Sequence, residues 1–265
     1  MQRRSQYRPH IPKVTDNTLA DTFLLVTAHP DDEVMFFSPF LAAANTAGWN
    51  IRVFCLTNGG SDGIGIIRCA ELQRAGTKLG FETVCANLDG VRDGMNETWD
   101  LPVAISAISD EMASLRIAAV FTFDHLGVTK HPNHISTHDA VRQARNSLET
   151  NGRKVPLYEL VTIPLLSRFL GPCGLRWNRS HIQNGIVKTT ITSTSRRKGE
   201  SGEISTTPTM PVMMMSDFIV RSHGFIPCSR VHTGMKIHSS QYVWWRYLWV
   251  IFSVYSYANF FVRRL

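Results

Sequence analysis

Two short clusters of ionisable side chains carry the chemistry in this sequence. The first is His29-Pro30-Asp31-Asp32-Glu33; the second is His131-Pro132-Asn133-His134, with His138 four residues further on. Three consecutive carboxylates repel one another, and a cation or solvent must compensate their charge. Two imidazoles and a carboxylate with one position left for water make a catalytic zinc set, whereas magnesium seldom takes imidazole. Water activated by such a metal is a nucleophile near neutral pH, and a neighbouring carboxylate can accept its proton. Asp31 and Asp32 can then divide the work, one on the metal and the other as base. The plainer reading is a capping turn: Asp31 or Asp32 caps a helix, Glu33 favours its dipole, and His29 ends a strand. The second cluster tilts the balance toward metal. His134 and His138 share a helical face and His131 lies in the preceding turn, so spacing alone admits His138 as a ligand.

Elements of one kind must position both clusters. Phe23 to Val26 is a short apolar run that predicts a strand, Pro30 forces His29 out of helix, and Glu33 to Gly48 reads as a helix. Strands are expected at Ile51–Leu56, Glu82–Leu88, Ala118–Phe123 and Leu157–Ile163. Helices are expected at Ile66–Leu79, Leu101–Leu115 and Ile135–Leu148. Strict alternation at this spacing predicts a Rossmann-like, doubly wound, mostly parallel α/β sheet. Each cluster follows a strand and opens a helix, so both fall at the carboxyl edge of the sheet, where such folds bind ligands.

Composition is that of a globular protein: 265 residues, 43% hydrophobic and 18% charged, with a net charge of +7. That charge allows an anionic lipid surface, a phosphorylated substrate or nucleic acid. Its Lys and Arg residues are dispersed outside Arg196-Arg197-Lys198, which argues against a nucleic-acid partner. The five cysteines form no CxxC pair, so neither a cysteine zinc site nor a disulfide framework is expected. Residues 1–21 are polar and basic without an apolar stretch, and no secretory signal is read there. The catalytic α/β domain is placed at 22–188 and a flexible Ser/Thr-rich insertion at 189–215. The end of the domain, irregular and then helical with many aromatics, is placed at 216–265. The apolar run from Tyr247 falls short of the ~20 residues that span a bilayer. Its aromatics and flanking arginines suit either a membrane interface or a helix docked on the sheet.

Ala28-His-Pro-Asp-Asp-Glu33, the glycine loop Thr57–Gly65 with Arg68 and Glu71, Thr122-Phe-Asp124 and His131-Pro-Asn-His134 together resemble the LmbE-like, or PIG-L, de-N-acetylase family. Met235-Lys-Ile-His-Ser-Ser-Gln241, followed by aromatics, resembles its eukaryotic branch, which acts on N-acetylglucosaminyl-phosphatidylinositol. The likeness spans roughly residues 22–165 well and 230–262 moderately; the Ser/Thr-rich insertion is outside it. It implies a zinc-dependent hydrolase removing the N-acetyl group in the second step of GPI-anchor synthesis, on the cytosolic face of the endoplasmic reticulum membrane. By the same resemblance His29, Asp32 and His134 would hold Zn2+, Asp31 would be the base, and His131 would stabilise the oxyanion. Arg68 would contact the inositol phosphate, Asp93 the sugar hydroxyls, and His238 the substrate. Arg68 can equally pair with Glu71 or Glu82 on the surface, and Asp93 can equally be a turn aspartate. Rival readings are a soluble deacetylase of another N-acetylglucosaminyl conjugate and a non-catalytic membrane-associated scaffold.

Overall fold

The structure is a computed structural model that describes residues 21–150, 152–174, 218–221 and 229–264. The insertion expected at 189–215 and nearly all of the polar N-terminal segment lie outside these residues. In chain order the elements are β1 (Thr22–Thr27), α1 (Asp32–Thr46), β2 (Asn50–Cys55), α2 (Gly65–Leu79), β3 (Glu82–Cys85) and α3 (Leu101–Ser114). Then come β4 (Ile117–Phe123), a short α4 (Gly127–Lys130), α5 (Pro132–Thr150), β5 (Leu157–Leu160) and a short α6 (Leu165–Arg168). The chain closes with β6 (Phe218–Arg221), α7 (Ser229–Ile237), α8 (Trp244–Phe252) and β7 (Ala258–Arg264).

The seven strands among the described residues join one sheet in the order β3-β2-β1-β4-β5-β7-β6. Strands β1 to β5 are parallel, and β7 runs antiparallel to both β5 and β6. This is the doubly wound, mostly parallel sheet that the alternation predicts. The central strands β1 and β4 are buried along their whole length because helices cover both faces. On β1, Phe23 and Leu25 pack into the core with α1 and α2, while Leu24 and Val26 pack into the core with α3 and α5. All four side chains are buried, each worth about 1.5–3 kcal/mol.

The aromatic C-terminal run departs from a single helix. Helix α8 spans nine residues, and Ser253 accepts the N–H of Tyr255 in a tight turn before the chain enters the sheet as β7. The side chain of Asn259 on β7 reaches into α1, where Pro39 interrupts the helical ladder. Its amide accepts from the N–H of Phe40 and donates to the carbonyl of Phe36, the pair a regular helix would join directly. The C-terminal strand is thereby fixed to the helix that carries Asp32. Cys69 and Cys85 are joined as a disulfide, contrary to the expectation of unpaired thiols: α2 lays one beside the other on β3, with Cα atoms 5.8 Å apart. Among the described residues no helix is long and apolar enough to cross a membrane.

Candidate metal centre and active site

Strands β1 and β4 are neighbours, yet the chain leaves them for opposite halves of the sheet. The crevice beyond their carboxyl ends is the switch point at which α/β folds bind ligands. Both sequence clusters meet there, around a cleft of about 290 Å³ lined by His29, Asp31, Asp32, Arg68, His131 and His134, among others. Asp31 takes the N-cap position of α1 but makes no capping hydrogen bond, so the capping-turn reading fails for it. Its backbone is left-handed, with φ 114°, a conformation that costs a non-glycine residue about 1–3 kcal/mol. The Asp31 N–H donates to Glu33, which helps hold this turn with the Asp31 carboxylate toward the cleft.

His29, Asp32 and His134 offer ligand atoms that all lie within 4.8 Å of one another. His29 Nδ1 is 3.4 Å from Asp32 Oδ2, and His134 Nε2 is 3.2 Å from Asp32 Oδ1. The other nitrogen of each ring is already engaged. His134 Nδ1 faces the carbonyl of Gly127 at 3.1 Å, and His29 Nε2 faces Asn133 Oδ1 at 3.0 Å and Asp93 Oδ1 at 3.1 Å. Acceptors on those nitrogens place the protons there and leave the lone pairs directed at Asp32, the arrangement that orients histidine ligands. Asp32 Oδ2 is further braced by the N–H groups of Ala28 and His29. A divalent metal fits this donor set. Without one, the ring of His29 takes up a proton: burial opposes the charge, but the carboxylates of Asp32 and Asp93 prevail and push its pKa up to about 10. For Asp32 burial likewise opposes charge, and the imidazoles of His134 and His29 hold it well below the usual carboxylate range.

The second cluster is held by a strained turn. Gly127, Val128 and Lys130 all have φ near +60° (58°, 59° and 60°), unusual above all for a β-branched valine. Asp124, at the end of β4, accepts from both the N–H and the hydroxyl of Thr162, and the Thr162 hydroxyl in turn accepts the N–H of Val128. The turn aims the Gly127 carbonyl at His134 and carries His131 into the cleft. Neutral His131 is favoured: burial, then the neighbouring His29 and His134, lower its pKa to about 4. Its Nδ1 accepts the N–H of Asn133, which leaves Nε2 as the protonated, donating nitrogen.

Arg68 does not pair with Glu71 or Glu82. It lies buried, donating to the carbonyls of Gly59 and Pro30, with Asp31 Oδ2 at 3.3 Å and Asp93 Oδ2 at 3.4 Å. Glu71 instead accepts from Ser239 and Ser240, and Glu82 pairs with Arg52. Asp93 is no idle turn residue, since it bridges Arg68 and His29. One placement that spacing left open is decided, and one expectation is not met. His138 is turned away from the other ring ligands, its nitrogens on Asp139 at 2.8 Å and Glu159 at 3.2 Å. His238, expected at the substrate, is 0% exposed and bonded to the equally buried Glu33 at 2.6 Å. The helix α7 ends behind the cleft, so His238 supports the turn that positions Asp31 and does not line the cavity.

Several residues of the site receive no role from the sequence. Asn133 accepts from both His29 and the N–H of Gly94, and Asp124 works through Thr162. Arg246, from α8, donates to Asp31 Oδ2 beside Arg68. Arg68 Nε, Arg246 Nε, Trp249 Nε1 and Asn133 Nδ2 are buried without a hydrogen-bond partner among the described residues. Unpaired buried donors concentrated at one cleft call for a polar ligand.

A family model described as PIG-L, GlcNAc-PI de-N-acetylase, matches residues 24–145, the stretch that holds both clusters. A Dictyostelium discoideum protein named as a probable N-acetylglucosaminyl-phosphatidylinositol de-N-acetylase is 27% identical, over 94% of this chain and 96% of its own. The Saccharomyces cerevisiae N-acetylglucosaminyl-phosphatidylinositol de-N-acetylase is 29% identical, over 89% of this chain and 79% of its own. Among solved structures, a zinc-inhibited teicoplanin deacetylase superposes with a TM-score of 0.51 at 15% identity, over 92% of this chain and 98% of that one. The hydratase GalB of Pseudomonas putida superposes with a TM-score of 0.54 at 12% identity, over 92% and 96%. A hydratase and a deacetylase share this architecture, so the fold alone does not choose the reaction.

Proposed function

The chain belongs to the PIG-L family, and from that membership and the geometry of the cleft we propose that it is a zinc-dependent deacetylase of N-acetylglucosaminyl-phosphatidylinositol. The observation that carries this reading is a separate carboxylate, Asp31, set directly beside the His29–Asp32–His134 donor set. Bound there, zinc would polarise the acetyl carbonyl and make water a stronger acid. Arg68 and Arg246 hold Asp31 by Oδ2, leaving Oδ1 to accept a proton from the attacking water. As that oxygen bonds to the carbonyl carbon, His131 Nε2–H donates to the oxyanion, a preorganised dipole in a water-poor site. Collapse breaks the C–N bond, and Asp31 returns its proton to the leaving nitrogen, giving acetate and a free amine. The guanidinium groups of Arg68 and Arg246 suit the phosphodiester of the lipid head. Exposed Trp244, Trp245, Tyr247 and Leu248 on α8 support work at a membrane surface, and the cytosolic face of the endoplasmic reticulum is the surface proposed.

Acetate release from N-acetylglucosaminyl-phosphatidylinositol, before and after chelation and with zinc added back, tests the reading. Turnover that is lost to the chelator and restored by zinc is expected. Turnover of only a lipid-free N-acetylglucosaminyl conjugate would move the substrate, and turnover of neither would leave a scaffold.

A further inference from the structure

Helix α8 carries an apolar stripe at Trp245, Leu248, Trp249 and Phe252, the spacing of one helical face. Such a stripe ordinarily faces a core. Here Trp245, Leu248 and Phe252 remain 45%, 48% and 48% exposed, and only Trp249 is covered, at 7%. With Phe169, which stands edge-on to Trp249 at 5.2 Å, they line a second cavity of about 390 Å³, within the usual size of ligand pockets. Its lining is predominantly apolar. Trp245 and Trp249 also line the polar cleft, so the two cavities adjoin at these two rings. Arg246 leaves the same helix in the other direction and reaches Asp31. One short helix thus offers a cation to the reaction site and an apolar trough just outside it.

We infer that this trough is a binding site for a hydrocarbon tail of the substrate whose polar head occupies the cleft. The inference rests on the deacetylase reading and adds to it a specificity-determining subsite. Adjacency favours a single amphiphilic ligand over a separate partner: a ligand whose phosphate meets Arg246 in the cleft would have the trough beside it, across Trp245. The trough takes a chain from a substrate in solution as well as from one in a bilayer, and that separates it from a general membrane-facing surface.

The test compares dihexanoyl N-acetylglucosaminyl-phosphatidylinositol, kept as monomer below its micelle concentration, with the same head on tail-less glycerophosphoinositol. Each buried methylene is worth about fourfold in binding, so the full-length protein should prefer the tailed substrate by at least ~10-fold in kcat/KM. Leu248→Ser and Phe252→Ser, both at exposed positions, should each reduce that ratio by about threefold or more. A ratio near one, a ratio unmoved by both variants, or a preference that appears only on vesicles would overturn the inference. If neither substrate is turned over, the deacetylase reading fails separately. The subsite is then judged by quenching of tryptophan emission with monomeric phosphatidylinositol brominated on its acyl chain. Quenching lost in Leu248→Ser supports it, and absence of quenching sinks it. A photo-crosslinker at position 248 that reacts with residues 175–217 of the same chain would identify that segment as the occupant and likewise overturn it.

Discussion

Arg246 donates to Oδ2 of Asp31 across 215 positions of sequence, so the candidate base is held from the far end of the chain. Arg68, from α2, meets the same oxygen at 3.3 Å. Two guanidinium groups fix one carboxylate oxygen and thereby decide which one faces the reaction. Arg246→Ala should keep its metal and lose turnover by about 10–100-fold, as expected when a group that orients the reacting shell is removed. Arg246→Lys, which keeps the charge but not the planar fork, should recover only part of it. Metal analysis beside kcat checks this; full activity in Arg246→Ala would remove it from the site.

Asp31→Asn keeps the shape of the turn and removes the proton acceptor. Because Asp31 is outside the His29–Asp32–His134 donor set, bound metal should stay stoichiometric while kcat falls by about 10²–10⁴-fold. Loss of metal together with activity would instead make Asp31 a ligand.

What the sequence made legible was the half of the site built from local patterns. His-Pro pairs after apolar strands put both clusters at the sheet edge, and alternation of strand and helix put those edges side by side. Contacts made across the fold were not legible. Arg246 sits in an aromatic run whose composition speaks of membranes. The run stops at Ser253, turns, and re-enters the sheet as β7. The switch from the helical stripe of Trp245 to Phe252 to the short aromatic and β-branched run Phe260–Val262 was the available signal. His238 failed for a related reason: its place at the substrate came from the resemblance, and nothing local shows that it is buried beside Glu33.

His238 and Glu33 are both fully buried and bonded at 2.6 Å, and burial is outweighed by Glu33 in raising the pKa of His238. Removing one partner of such a pair leaves an uncompensated carboxylate, at a cost of about 3–5 kcal/mol. His238→Ala should therefore lower thermal stability well beyond a surface substitution, and it should weaken kcat more than KM because Glu33 also holds the N–H of Asp31. A change confined to KM would return His238 to the substrate.

His138 offers a contrast four residues from His134. With its nitrogens on Asp139 and Glu159, and Glu159 also bound by Arg264 at 2.7 Å, it ties α5 to the β5–β7 edge. His138→Gln should retain full metal occupancy by elemental analysis, whereas His134→Gln should lose it.

The raised pKa of His29, about 10 without metal, makes metal uptake a proton-coupled event. Near neutral pH the metal must displace a proton from His29, so binding should release about one proton, and affinity should climb with pH until that ring deprotonates on its own. Calorimetric titration in buffers of different ionisation enthalpy measures the release directly; none at pH 7 would mean that His29 is already neutral. The stability of the chelated protein gives an independent reading. A folded-state pKa above the ordinary 6.5 contributes stability that is fully present below pH 6.5 and disappears as pH rises through about 10. The chelated protein should accordingly lose thermal stability between those limits. The metal-loaded protein should show far less of that slope, because there His29 carries no proton to lose.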